Sequence, residues 1–240
     1  MECIYADYRE SYRATTMIPL LHDFSGATVL VFGGGRVGAR KARRFAREAD
    51  VIVVSPTFAE QGFGDSDLIR EAPDAESVRE WIDRTEPALV VAATNDESVN
   101  EAAETAAREA GALVNRADRS GATGDGNRSV DDVVVPATIR DDPVVVAVST
   151  GGESPALSRY LRREIETRID GAGGMAELTG ALRGELREES VSPGERRDAV
   201  RTVVESPAVW KALRSRTSND RQVAEDVIQE ELGEFPGDGE

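Results

Sequence analysis

Residues 28 to 40 read TVLVFGGGRVGAR, and this stretch limits the fold more than any other. Thr28 to Phe32 is a short apolar run, which predicts a buried strand. Gly33, Gly35 and Gly38 follow at the spacing G-x-G-x-x-G, and from Ala39 onward the composition is helical. Strand, glycine turn and helix in that order build the phosphate-binding corner of a dinucleotide fold. Gly33 permits the tight turn, Gly35 lets the backbone approach a pyrophosphate, and Gly38 lets the helix pack close to the strand. The helix N-terminus offers unpaired N–H groups and a partial positive charge to an anion. Gly33, Gly35, Arg36, Val37 and Gly38 are therefore candidate cofactor contacts. A glycine turn with only a structural role is the alternative.

The chain beyond it alternates as an α/β unit should. A helix is expected from Arg36 or Val37 to Ala49, with Arg40, Lys41, Arg43 and Arg44 as its wet face. Val51–Val54 is β-branched throughout, as a central parallel strand should be. In many dinucleotide folds an acid ends this strand and holds the adenosine ribose. Ser55-Pro56-Thr57 stands there instead, and these residues are candidates for the ribose end of the site. With no arginine in that turn for a 2′-phosphate, NAD is favoured over NADP, although Arg36 keeps NADP open. Leu68–Arg70 reads as an edge strand, Ala75–Arg84 as a helix and Ala88–Ala92 as the next central strand. Thr94 and Asn95 lie at the carboxyl end of that strand, where open α/β sheets bind ligands. A helix over Glu97–Ala110 and a strand over Ala112–Asn115 complete the unit.

The next region breaks the alternation. Residues 119–132, RSGATGDGNRSVDD, are rich in turn formers and read as a mobile loop or lid. Val133–Ile139 and Val144–Ser149 suit a hairpin. Thr150-Gly-Gly-Glu-Ser-Pro155 then opens a helix, with Ser154 as N-cap and Pro155 at the first helical position, running to about Ile169. Gly171–Gly174 reads as a linker, and four helices are expected over 175–188, 193–204, 207–215 and 221–232.

Composition narrows the function. The net charge is −16, from 29 basic and 45 acidic residues. Such a chain has no broad basic stripe for nucleic acid. Lys41 and Lys211 are its only lysines. Acid excess with lysine depletion is the pattern of a proteome adapted to high salt, where the charge is a solvated surface; a GC-rich genome produces a similar shortage. No apolar run approaches the roughly 18 residues that span a bilayer, and no signal peptide is visible. Cys3 is the only cysteine, so no internal disulfide forms, in keeping with a cytoplasmic location. His22, the only histidine, has no second histidine or cysteine nearby and is not read as catalytic. No His/Cys cluster offers a preformed metal site.

Several stretches together resemble the precorrin-2 dehydrogenase family, the dehydrogenase/ferrochelatase module of siroheme synthase. They are Met17-Ile-Pro-Leu-Leu21, Val31-Phe-Gly-Gly-Gly-Arg-Val-Gly-Ala-Arg-Lys41, Val53-Val-Ser-Pro56, Val91-Ala-Ala-Thr-Asn95 with Val99-Asn100, Asn115-Arg-Ala-Asp118, Val135-Pro136, and Val146-Ala-Val-Ser-Thr-Gly-Gly-Glu-Ser-Pro155. Order and spacing agree over about residues 17 to 170. The triple glycine together with the late Ser-Thr-Gly-Gly-x-Ser-Pro is the specific combination. The resemblance implies an α/β fold class: a Rossmann NAD-binding domain (17–128), a small β-hairpin/helix dimerisation segment (129–170) and a C-terminal helical domain (171–232). An N-terminal extension (1–16) and an acidic tail (233–240), both expected to be disordered, flank these.

The resemblance also implies a reaction. NAD takes a hydride from precorrin-2, protons are lost and sirohydrochlorin results; some members also insert Fe²⁺, which is then a substrate. The family's catalytic aspartate, in an Asn-x-x-Asp sequence after the last Rossmann strand, falls on Asp118. One carboxylate near the ring could take protons in both oxidation and metal insertion. Read without the resemblance, Asp118 is a residue of a turn-rich stretch. Asn115, Gly151, Gly152 and Ser154 are implied to hold the tetrapyrrole. Its carboxylates call for arginines, for which Arg116, Arg119, Arg128, Arg140 and Arg159 are candidates, Arg116 foremost. The expected partners are precorrin-2 and a second copy of the chain in a homodimer, with no nucleic acid and no membrane. Two other readings stay open: a different small Rossmann dehydrogenase, and a nucleotide-sensing regulatory domain. The latter has no use for the hairpin or the Gly-Gly-x-Ser-Pro turn.

Overall fold

The computed structural model describes residues 18–118, 129–215 and 219–232. The expectations for the extension 1–16, Met17, the loop at 119–128 with Arg119 and Arg128, and the tail 233–240 lie outside the described residues. By its contacts the chain divides into two compact units. One takes in the described residues up to Val135 together with Gly151–Ser154, and the other takes Pro136–Thr150 and the residues from Pro155 onward.

The first unit is built on a parallel sheet of β1 (Thr28–Phe32), β2 (Asp50–Ser55), β3 (Ser66–Arg70), β4 (Leu89–Ala92) and β5 (Leu113–Arg116), in the order β3-β2-β1-β4-β5. Val29 to Phe32 and Leu89 to Ala92 have no exposed surface, as strands covered on both faces must. Helix α1 (Arg36–Phe45) covers one face, where Val29, Val31, Val53 and Val91 form a cluster with Ala39 and Ala42. Helices α2 (Ala75–Thr85) and α3 (Glu97–Glu109) cover the other, where Leu30, Phe32, Val90 and Val114 meet Trp81, Ile82, Val99 and Ala103. Asp74 caps α2 and Asp96 caps α3, each accepting from backbone N–H groups of the first turn, a contribution of about 1 kcal/mol apiece.

Three elements differ from the sequence reading. Helix α1 ends at Phe45, not Ala49, because the chain must turn back for the Asp50 N–H to bond the Ala27 carbonyl at 3.0 Å. The hairpin starts later than Val133: β6 spans Ala137–Asp141 and β7 Val144–Val148. Val133 instead stays with the parallel sheet, its N–H donating to the Val114 carbonyl at 2.8 Å. The glycine run after residue 170 is no linker. Gly171, at φ +86°, caps helix α5 (Ala172–Glu188), and the Gly173 N–H donates to Asp141 Oδ2 at 3.0 Å. A Cβ on Gly173 would overlap the Asp141 and Asp142 carbonyls, so glycine is what lets the helix start against the hairpin turn.

In the second unit α4 (Pro155–Arg168) packs on the hairpin without burying a single residue. Helices α5, α6 (Pro193–Glu205), α7 (Pro207–Ser215) and α8 (Asp220–Leu232) enclose a separate core of Leu182, Leu186, Val203, Val209 and Ile228. No helix among the described residues is long and apolar enough to cross a membrane.

Candidate active site

Strand order reverses between β1 and β4, and the crevice at such a switch point is where an open α/β sheet takes its ligand. The glycine corner occupies it. Gly33 has φ +115°, and a Cβ there would lie 2.7 Å from the Ala93 carbonyl carbon. On Gly38 it would lie 2.9 Å from the Gly33 carbonyl carbon, and on Gly34 2.7 Å from the Phe58 ring. Gly35 is different in kind: φ is −76°, and nothing stands within 4 Å of its would-be Cβ. Three glycines are needed by the protein itself, while the fourth leaves space that the protein does not fill. It caps α1 without a side-chain hydrogen bond, so first-turn N–H groups remain for an anion. Arg36 and Val37 are exposed beside it. The corner thus fits the pyrophosphate of a dinucleotide.

Ser55, Pro56 and Thr57 form a tight turn at the end of β2. Ser55 is buried and its hydroxyl donates to the Thr57 carbonyl at 2.8 Å, while Pro56 and Thr57 are exposed. Sequence reading found no arginine at this turn, but the parallel pairing of β3 brings one. Arg70 is in register with Ser55, donates from Nη1 to the Pro56 carbonyl at 3.2 Å and lies over the Phe58 ring.

The loop after β4 is held by a residue to which the sequence reading gave no role. Asn100, 1% exposed, accepts from the Thr94 N–H at 3.2 Å and donates to the Thr94 carbonyl at 3.1 Å; the Thr94 hydroxyl lies 2.8 Å from its Oδ1. Thr94 is thereby fixed, and Asn95 is left exposed at the loop tip. The signal available beforehand was a polar residue on the buried face of an alanine-rich helix.

Strand alternation separates Asn115 from Arg116. Asn115 follows Leu113 on the α1 face, buried, with Nδ2 donating to the Val133 carbonyl at 2.7 Å and Oδ1 without a partner. Arg116 follows Val114 on the α3 face. Its guanidinium is 5% exposed and directed at carboxylates of the chain itself: Nη1 to Glu104 at 2.6 Å, Nη2 to Glu97 at 2.8 Å, and Nε and Nη2 to the two Asp118 oxygens at 2.9 and 2.6 Å. It was expected to meet a substrate carboxylate, whereas it holds three internal ones. Burial opposes its charge, but the bonds to Asp118, Glu97 and Glu104 outweigh this and raise its pKa. The same bidentate contact pulls the Asp118 carboxyl down to about 2, against some burial. Asp118 keeps 29% of its side chain exposed.

These residues share one edge of the sheet. Ser55 ends β2, Gly33 follows β1, Thr94 follows β4 and Asp118 follows β5. With strands about 4.8 Å apart, Asp118 sits roughly 10 Å along the edge from the glycine corner. Gly151, Gly152 and Ser154 belong to this same compact unit, and Gly151 and Gly152 both have positive φ. Arg140 pairs with Asp142 at 3.7 Å, and Arg159 is exposed. Lys41 departs from the expected wet face: burial, reinforced by Arg44 and Arg40, lowers its amine to about 8. His22 is exposed and stacks on Phe24. Among the described residues no group of three or more His, Cys, Asp or Glu could hold a metal ion.

Fold and glycine corner together define an NAD(P)-binding protein of the Rossmann class. A family model described as "Putative NAD(P)-binding" matches residues 20–137, and a second, "Sirohaem biosynthesis protein central", matches 141–168. The chain is 33% identical to the precorrin-2 dehydrogenase of Methanosarcina barkeri over 211 residues, covering 84% of this chain and 88% of that one. It therefore belongs to the precorrin-2 dehydrogenase family. It is also 32% identical to the siroheme synthase of Nitrosomonas europaea over 91% of its length, but spans only 45% of that longer protein. The solved structure of SirC, precorrin-2 dehydrogenase, shares its fold with a TM-score of 0.63 at 23% identity, over 89% of this chain and all of that one.

Proposed function

We propose that the chain oxidises precorrin-2 to sirohydrochlorin with NAD, in the cytoplasm, on the way to siroheme or a related tetrapyrrole. The observation that carries this is similarity running through 88% of a precorrin-2 dehydrogenase. The unfilled space over Gly35, on the sheet edge that also carries Asp118, supports it. Gly33, Gly35, Arg36, Val37 and Gly38 hold the pyrophosphate. The Ser55–Thr57 turn takes the adenosine ribose, and Thr94 and Asn95 line the nicotinamide end. Bound there, the cofactor supplies the hydride acceptor. NAD is preferred over NADP because the Ser55-Pro56-Thr57 turn has no arginine of its own for a 2′-phosphate, and neighbouring Arg70 has one of its N–H groups on the Pro56 carbonyl.

Asp118 takes the proton that leaves the tetrapyrrole. At neutral pH it is ionised, since its carboxyl is held near 2 by Arg116. Asn115, Gly151, Gly152 and Ser154 hold the macrocycle. Leu157 and Tyr160, 46% and 52% exposed on α4, supply apolar surface for a second copy of the chain.

The test is incubation with precorrin-2 and NAD at high salt, following NADH and the tetrapyrrole spectrum. NADH should form in step with sirohydrochlorin; no turnover overturns the reading. An Asp118→Ala variant at full rate would move proton acceptance elsewhere and leave the dehydrogenase standing. Adding Fe²⁺ afterwards reports whether sirohydrochlorin is also metallated.

A further inference from the structure

A carboxyl near 2 accepts a proton but does not keep it at neutral pH, so each proton taken by Asp118 has to be handed on. The structure supplies a neighbour. Glu97, the first residue of α3, shares the Arg116 Nη2 donor with Asp118, at 2.8 Å against 2.6 Å. The Glu97 side chain is 58% exposed, against 29% for Asp118 and 10% for Glu104. Three carboxylates on one guanidinium thus run from buried to open, and Glu97 is the most open of the three.

We propose that Glu97 is the proton relay from Asp118 to solvent, and that Arg116 is the positioning residue that holds the two carboxylates together. The inference rests on the reading that Asp118 receives the substrate's proton. The step balances without any further reagent. A C–H or N–H proton of the tetrapyrrole moves to an Asp118 oxygen. The protonated Asp118 then donates to a Glu97 oxygen, and Glu97 releases the proton to water, so both carboxylates end ionised. Glu104 has a different task. It anchors Arg116 from below at 2.6 Å and is itself held by Arg108 at 2.6 Å, which in turn reaches Asp132 at 2.7 Å. Among the described residues, Glu97, Glu104 and Arg108 of α3, Arg116 beside Asp118 at the end of β5, and Asp132 at the sheet edge are the charged groups of this network.

Glu97 is exposed enough to be replaced without unfolding the chain, so Glu97→Ala is the test. Its kcat should fall roughly a hundredfold, the low end of what a lost proton-transfer group removes, with KM for NAD unchanged. Added imidazole or acetate, as a small proton carrier, should restore the rate in proportion to its concentration. Arg116→Lys keeps the charge but loses the fork, and should move the acid limb of the kcat profile upward. A Glu97→Ala enzyme at wild-type rate, or one slowed with a raised KM and no response to either carrier, overturns the relay. If wild type turns over and Asp118→Ala does not, such a result leaves the dehydrogenase reading intact. A wild type inactive on precorrin-2 overturns both.

Discussion

Gly35→Ala separates what the glycine corner does for the fold from what it does for a ligand. The added methyl meets nothing within 4 Å in the protein, and φ is −76°, which alanine adopts freely. Two small effects on stability oppose each other. Losing a glycine lowers unfolded-state entropy and stabilises by about 0.4–1 kcal/mol. Gly35 is also the N-cap of α1, where alanine is worse than glycine by about 0.5–1 kcal/mol. The net is near zero, and at about 2–4 °C per kcal/mol the melting temperature should move by no more than roughly 2 °C. Binding should behave otherwise, because the methyl fills the space left for the pyrophosphate. Calorimetric titration with NAD should show affinity reduced at least about tenfold, or 1.4 kcal/mol. Gly38→Ala is the contrast: its methyl would overlap the Gly33 carbonyl, so stability and binding should fall together. A Gly35→Ala protein that binds NAD as wild type does refutes the assignment of Gly35. One that melts far lower refutes the claim that the space is empty.

Lys41→Met should raise stability at pH 7. The folded-state amine sits at about 8, below the ordinary 10.5, which costs the charged form about 3 kcal/mol at roughly 1.4 kcal/mol per unit. For wild type, urea denaturation should show stability rising from pH 8 toward 10.5, because the unfolded chain binds more protons in that window; in the variant this rise should be absent. The Asp118 pKa is also lowered, so its slope has the same sign at lower pH, but here the charged form is the one the fold stabilises. Its stabilisation is fully present above the ordinary 3.8 and lost as pH falls through about 2, so Asp118→Asn should flatten the acid limb of stability between those values, by about 1–2 kcal/mol after allowance for solvent screening. Asn100→Ala strips the bonds that fix Thr94 and should cost about 1–3 kcal/mol by chemical denaturation, with weaker NAD binding in the same sample.

The central strands β1, β2 and β4 were legible because they are local: four consecutive apolar residues announce themselves without reference to partners. The glycine spacing was legible for a similar reason, since a tight strand-to-helix turn is a requirement on adjacent residues. Boundaries set by distant partners were not. Val133 reads as part of a hairpin, but its N–H bonds Val114. Gly171–Gly174 reads as a linker until Asp141 and Asp142 are seen pressed against Gly173.

The site divides along the same line. Sequence by itself predicted a dinucleotide corner at Gly33–Gly38, because that depends on short spacings along one stretch of chain, and it pointed to Asp118 only through the family resemblance. Tertiary structure decided what surrounds them. Arg70 reaches the Ser55 turn through strand pairing. Asn115 and Arg116, adjacent in sequence, are sent to opposite faces by the strand's period of two. The company Asp118 keeps is set by α3, which brings Glu97 and Glu104 to Arg116 from 19 and 12 residues away. Charge and spacing name the ionisable groups, but the state of each depends on which others the fold places within 3 Å.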